Sequence, residues 1–85
     1  MSIDAGHFTL FGYPIGQEDL EQPLRLKEAT VLADAPQLRR LTDFFAYAAE
    51  QMEYGAAFDH MHFCDFARVP QTDQRLADII VVGRR

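Results

Sequence analysis

The chain has 85 residues, which is enough for one domain and too few for two. Hydrophobic residues make up 48% of it, and this apolar content argues against intrinsic disorder. The formal net charge of -5 argues against binding to nucleic acid or to an anionic membrane, and it favours either a basic partner protein or simple solubility.

The N-terminal part of the chain predicts two strands joined by a loop. Residues 1–7 are small and polar and are expected to fray, whereas the β-forming residues 8–13 predict a first strand. Alternation over residues 24–33 predicts a second strand, either with a bulge near Glu28 or with both faces half buried. Residues 14–23, with their prolines and glycine, predict a surface loop that is a solvated connection or an acidic contact surface. Its acidic residues are Glu18, Asp19 and Glu21.

A helix is predicted over about residues 35–54. Asp34 and Gln37 form a capping-box pattern, and Pro36 lies in the first turn, where its missing N–H has no partner to lose. Gly55 is expected to end the helix in the left-handed conformation. The apolar residues that predict its buried face are Leu38, Leu41, Phe44, Phe45, Ala48 and Met52.

The C-terminal part predicts two more strands. Residues 60–66 alternate as a third strand, residues 67–77 form a loop with Pro70, and residues 79–82 form an apolar fourth strand that Gly83 ends. An unbroken apolar strand is typical of the centre of a sheet.

These elements predict one α+β domain over residues 1–85 with the order ββαββ. We expect a four-stranded, mainly antiparallel sheet with the long helix packed on one face. If the fourth strand lies beside the second, the strand order is 1-2-4-3, and an order of 1-2-3-4 with a right-handed parallel crossover is the alternative. Because both faces of such a sheet would carry large apolar side chains, the helix-free face needs another cover. That cover would be a partner, a second copy of the chain, or the N-terminal arm and the 67–77 loop.

One cluster of residues could carry chemistry. His60, His62 and Cys64 would share one face of the predicted third strand, where Asp59 or Asp65 could complete a zinc site. A nucleophilic cysteine with a histidine base is a second possibility. The chain has no CxxC or HExxH pattern and no evident oxyanion hole, so we predict neither a metal or other cofactor nor an enzyme.

The compartment follows from the cysteine count and from the apolar stretches. Cys64 is the only cysteine, so the chain forms no internal disulfide, which fits a reducing compartment. The N-terminus lacks a basic stretch followed by an apolar run, and no apolar stretch approaches the roughly 20 residues that span a bilayer. We therefore predict a cytoplasmic protein.

Several segments resemble a known family. They are residues 24–33, Asp34-Ala35-Pro36, the helix over 38–53, residues 55–63 with Asp65, and residues 78–81, and the most specific pattern is Phe58-x-His60-x-His62-Phe63-x-Asp65. Together they resemble the Immunity protein 32 family of bacterial polymorphic toxin systems. The resemblance implies a small α+β protein that binds and neutralises a toxin made beside it, with the histidine segment as a contact surface. Residues 1–23 lie outside it.

The sequence thus predicts a protein-binding domain whose partner is a cognate toxin. The candidate contact residues are His60, His62, Asp65, Glu18, Asp19 and Glu21. One alternative is a metal-binding protein that uses His60, His62 and Cys64. The other is a plain structural or regulatory homodimer that pairs through the helix-free face of the sheet.

Overall fold

The structure is a computed structural model that describes residues 8–55, 57–69 and 77–83. The chain divides into two units, one up to Leu32 and one from Ala33 onward. Residues 1–7, which were expected to fray, lie outside the described residues. So does the part of the predicted loop from Pro70 to residue 76.

The first unit contains two short antiparallel strands, β1 (Leu10–Gly12) and β2 (Leu24–Leu26). Leu10 lies opposite Leu26, and Gly12 lies opposite Leu24. Both strands are shorter than predicted, and the extension of the second strand to residue 33 is wrong, whether with a bulge near Glu28 or with two half-buried faces. The pairing of β2 with β1 ends at Leu26. The apolar alternation of the sequence also changes phase at Glu28, so it does not continue one strand face past that residue.

The predicted loop between these strands is confirmed. Gly16 has a φ of 85°, a conformation that favours glycine, and the Gln17 N–H donates to the Pro14 carbonyl at 3.0 Å to close the turn. A second turn follows, in which the Leu20 N–H donates to the Gln17 carbonyl at 3.3 Å. The three acidic residues of the loop are exposed.

The second unit begins with the long helix α1 (Ala35–Tyr54), as predicted. The capping box is present: the Gln37 N–H donates to Asp34 Oδ1 at 2.9 Å, and the Asp34 N–H donates to Gln37 Oε1 at 3.0 Å. The left-handed conformation predicted for Gly55 is wrong, since its φ is -110°. Glycine is needed there for another reason: its N–H donates to the Gln51 carbonyl at 2.7 Å, and a Cβ at Gly55 would lie 2.7 Å from that oxygen.

The second unit also has its own small sheet, formed by β3 (His60–His62) and β4 (Ile80–Val82). The two strands are antiparallel, with Met61 opposite Val81. The predicted single four-stranded sheet is therefore wrong: the described residues form two separate two-stranded sheets. The central position predicted for the fourth strand is wrong as well, because among the described strands only β3 pairs with β4 and two of its three residues are exposed.

A short helix, α2 (Phe63–Ala67), replaces the second half of the predicted third strand. Phe63 and Phe66 are three residues apart, so a helical turn places both rings toward α1, whereas a strand would turn them to opposite faces. The turn ends at Arg68, which has a φ of 58°, and the Val69 N–H donates to the Cys64 carbonyl at 3.0 Å.

The core of the second unit lies between α1 and α2. Among the described residues, Phe44 is the best-buried large side chain, with its ring 5.4 Å from that of Phe63 and 5.6 Å from that of Phe66. Ala48 and Cys64 are also buried. The apolar stripe predicted for α1 is therefore only partly the buried face, because the core is centred on Phe44. The stripe residues that stay exposed are Leu38, Phe45 and Met52.

Candidate functional site: the outer face of the second sheet

Two histidines and two aliphatic residues lie on one side of the sheet formed by β3 and β4. His60 is directly opposite Val82, and His62 is directly opposite Ile80. Residues opposite each other in antiparallel strands share a side of the sheet, and residues two apart in a strand share it as well. We call this set of four residues, His60, His62, Ile80 and Val82, the histidine face. Met61 and Val81 lie on the other side.

The aliphatic half of the histidine face is open to solvent. Ile80 is 51% exposed and Val82 is 68% exposed. These two side chains are exposed because they alternate with Val81, which lies on the inner side of β4. Among the described strands, β4 has β3 as its hydrogen-bonding neighbour. The face thus joins exposed apolar groups to two imidazole rings.

His62 is fixed in place by Asp78. The imidazole Nδ1–H donates to Asp78 Oδ2 at 2.6 Å, and the Cys64 backbone N–H donates to Asp78 Oδ1 at 2.9 Å. One carboxylate thus joins the start of β4 to the end of β3 and to the first turn of α2. Burial acts to raise the pKa of Asp78, but the hydrogen bonds from His62 and Cys64 outweigh it and hold that pKa below its usual value.

His60 makes a parallel but more exposed pair with Asp59. Its Nδ1–H donates to Asp59 Oδ2 at 2.7 Å, and the two side chains are 49% and 71% exposed, against 27% and 26% for His62 and Asp78. The two imidazole rings are close to perpendicular, with centroids 5.3 Å apart. Both histidines therefore have Nδ1 engaged by a carboxylate, which leaves Nε2 as the nitrogen with a lone pair in each neutral ring.

Cys64 does not belong to the histidine face, so the predicted grouping of His60, His62 and Cys64 is wrong. The helical turn after His62 points the cysteine into the core, where it is 2% exposed. Burial, a hydrogen bond to the Asp78 carboxylate and the negative charges of Asp78 and Asp65 raise the pKa of the thiol to about 11. At neutral pH it is a protonated thiol, which suits neither a nucleophile nor a metal ligand. Within the described residues, no group of three or more histidine, cysteine or acidic side chains could hold a metal ion.

Asp65 lies apart from the histidine face as well. It is an exposed residue of α2 and lines an open depression of about 440 Å³ with Tyr47, Met61, Phe66 and Arg68. The Arg40 guanidinium lies 5.5 Å from the centre of the Phe66 ring, at cation–π distance. The remaining predicted contact residues, the acids of the 14–23 loop, belong to the first unit.

Asp78 is the site residue that the sequence did not reveal. It stands just before an apolar strand, where an acid looks like an ordinary strand boundary. Its role depends on the antiparallel register, which brings it opposite Cys64 across a gap of 14 residues. Strand alternation alone carries no information on such a partner. Asp59, adjacent to His60, could be picked out because the two residues are neighbours in the chain.

The comparisons with known proteins add no relative. No protein-family model matches the chain, no curated protein matches its sequence, and no solved structure matches its fold. The Immunity protein 32 resemblance therefore stays a prediction that rests on the segments quoted above. Among the described residues, no helix is both long enough and apolar enough to cross a membrane.

Proposed function

We propose that this chain is a protein-binding domain that neutralises a cognate bacterial toxin by docking through the histidine face. The single observation that carries the proposal is that Ile80 and Val82 are exposed on the paired strands β3 and β4, beside two imidazole rings. A patch of apolar groups rimmed by polar groups is typical of a protein-interaction site. The family resemblance supplies the kind of partner.

The energetic case rests on the two aliphatic residues. Complete burial of a valine or isoleucine side chain is worth about 1.5–3 kcal/mol, and more than half of each residue is still exposed here. The histidines add ring surface and polar atoms at the edge of the patch. Because the Asp78 carboxylate fixes both the end of β3 and the start of β4, a partner meets an ordered surface and loses little entropy in binding it.

Charge indicates a basic partner. Acidic side chains outnumber basic ones in each of the two units, and the formal net charge of the whole chain is -5. Two copies of such a chain repel each other, whereas a cationic toxin is attracted. We therefore favour a basic protein over a second copy as the occupant of the histidine face.

The proposal can be tested by toxin rescue. Each candidate toxin encoded beside the gene for this protein would be co-expressed with the chain, and growth and complex formation by size-exclusion chromatography would be measured. We expect one toxin to be neutralised in a stable complex. Val82→Asp and Ile80→Asp should abolish rescue, because a buried carboxylate without a partner is strongly unfavourable.

Leu32→Asp is the matched control. Leu32 is 99% exposed and is not one of the four residues of the histidine face, so this variant adds the same charge at a different exposed aliphatic residue. It should rescue growth as the unchanged chain does. Failure of the chain to neutralise or bind any adjacent toxin contradicts the proposal, and so does full rescue by both Asp variants of β4.

Self-association is the outcome that would favour a homodimer instead. Light scattering over a wide concentration range should show a monomer. A dimer that Val82→Asp dissociates would assign the histidine face to a second copy of the chain.

A further inference from the structure

We propose that His60 and His62 form a two-histidine half-site for a divalent transition-metal ion such as Zn²⁺. The chain would supply two nitrogen ligands through Nε2, and water would fill the other positions. The site differs from the one expected from the sequence. Cys64 is buried and takes no part, and the carboxylates of Asp59 and Asp78 hold the two imidazoles in place.

The hydrogen bonds of both rings fit this role. In metal sites, a ligating histidine usually donates its second ring N–H to a carboxylate or a carbonyl group, which fixes the tautomer and makes the ligating nitrogen more basic. His60 donates Nδ1–H to Asp59 and His62 donates Nδ1–H to Asp78, at 2.7 and 2.6 Å. Two adjacent histidines thus have the same carboxylate support and the same ring nitrogen left for an ion.

The spacing fits as well. Zinc binds histidine nitrogen at about 2.0–2.1 Å, so two imidazoles on one tetrahedral ion hold their ring centres roughly 5 Å apart. The centroids of His60 and His62 are 5.3 Å apart. The rings are thus already at the distance of a chelating pair, and β3 holds them there because residues two apart lie on the same side of a strand.

Solvent reaches both rings. The side chains are 49% and 27% exposed, so an ion can bind without opening the core. A pair of imidazoles chelates borderline metals such as Zn²⁺ and Cu²⁺, while Mg²⁺ and Ca²⁺ prefer oxygen ligands. The half-site should therefore distinguish Zn²⁺ from Mg²⁺.

The test is calorimetric titration of the untagged, chelator-treated full chain with zinc chloride. We expect saturable binding of one Zn²⁺ per chain and no binding of Mg²⁺. His60→Asn and His62→Asn should each weaken zinc binding about tenfold or more, because the remaining histidine binds without its tethered partner. His60→Asn is the more informative variant, since its side chain is the more exposed of the two and its loss does not touch the Asp78 contacts.

Two further variants make the test specific. His7→Asn removes the only other histidine of the chain and should leave zinc affinity unchanged. Asp59→Asn should weaken zinc binding about tenfold, as loss of an outer carboxylate does, while circular dichroism shows an unchanged fold. Absence of saturable zinc binding overturns the proposal. It is also overturned if neither His60→Asn nor His62→Asn weakens zinc binding, or if His7→Asn abolishes it.

Discussion

The two aspartate–histidine pairs of the second unit share one geometry and differ in burial. The side chain of Asp78 is 26% exposed and also accepts the Cys64 backbone N–H, whereas the side chain of Asp59 is 71% exposed and its pair with His60 lies in solvent. We expect Asp78→Ala to destabilise the protein by about 1–3 kcal/mol, because two donors then lose a charged acceptor in a partly buried place. Urea unfolding followed by circular dichroism measures this.

Asp59→Ala is the matched control for that prediction. Exposed ion pairs contribute only about 0.2–1 kcal/mol, so its unfolding midpoint should move little. Equal destabilisation by the two variants would show that the Asp78 carboxylate does not hold β3, β4 and α2 together.

Cys64 gives a second prediction for a single side chain. With the thiol pKa at about 11 and the residue 2% exposed, it should react with iodoacetamide at least roughly 100-fold more slowly in the folded protein than in concentrated urea at the same pH. Mass spectrometry of timed samples measures the two rates. Fast alkylation under native conditions would mean that α2 opens readily or that the cysteine is not in the core.

Among the elements, α1 is the one whose buried face can be tested with neighbouring residues. Phe44 is fully buried between Phe63 and Phe66, while Phe45 beside it is 48% exposed. We expect Phe44→Ala to destabilise the protein by about 3–5 kcal/mol, because it leaves a cavity between α1 and α2. Thermal unfolding checks this prediction, and complete failure to fold would be its extreme form.

Phe45→Ala removes the same atoms from the same helix and is the control. Its ring is already half solvated, so we expect a loss of less than about 1.5 kcal/mol. A larger loss from Phe45→Ala than from Phe44→Ala would contradict the packing of α1 against α2.

An element could be predicted from the sequence when the residues that determine it lie within the element itself. The bounds of α1 follow from signals within its own ends, the Asp34–Gln37 capping box and Gly55, and the structure confirms them. The third strand became a strand and a helix because Asp78 accepts the Cys64 N–H and Phe63 and Phe66 pack on Phe44. Those causes are long-range contacts, and alternation over seven residues does not reveal them.

The arrangement of the sheets was mispredicted for a related reason. Four short apolar runs suggested one sheet, but among the described residues each strand pairs only with a strand of its own unit, β1 with β2 and β3 with β4. The histidine face was only partly predictable. Strand alternation predicts that His60 and His62 share a side of the sheet. Ile80 and Val82 belong to that side because of the pairing register of β3 with β4, which the sequence does not show. Cys64 and Asp65 were misplaced because both lie in α2.

At the scale of the whole molecule, the acidic surplus makes a prediction about binding rates. The acids of the 14–23 loop are exposed and would attract a basic toxin over a distance. Replacing Glu18, Asp19 and Glu21 by the corresponding amides should slow association several-fold at low salt and change dissociation little. Surface plasmon resonance with the toxin found in the rescue experiment, at two salt concentrations, measures both rates.

A matched triple variant separates the loop from net charge. Replacing Asp43, Glu50 and Glu53 of α1 by amides removes the same charge from exposed positions in the second unit. If the loop steers the encounter, the α1 variant should slow association less than the loop variant, and the difference should shrink as salt screens both. Equal slowing would mean that only the total charge matters. No slowing by either variant would contradict a cationic partner, and binding would then depend on the apolar groups of the histidine face.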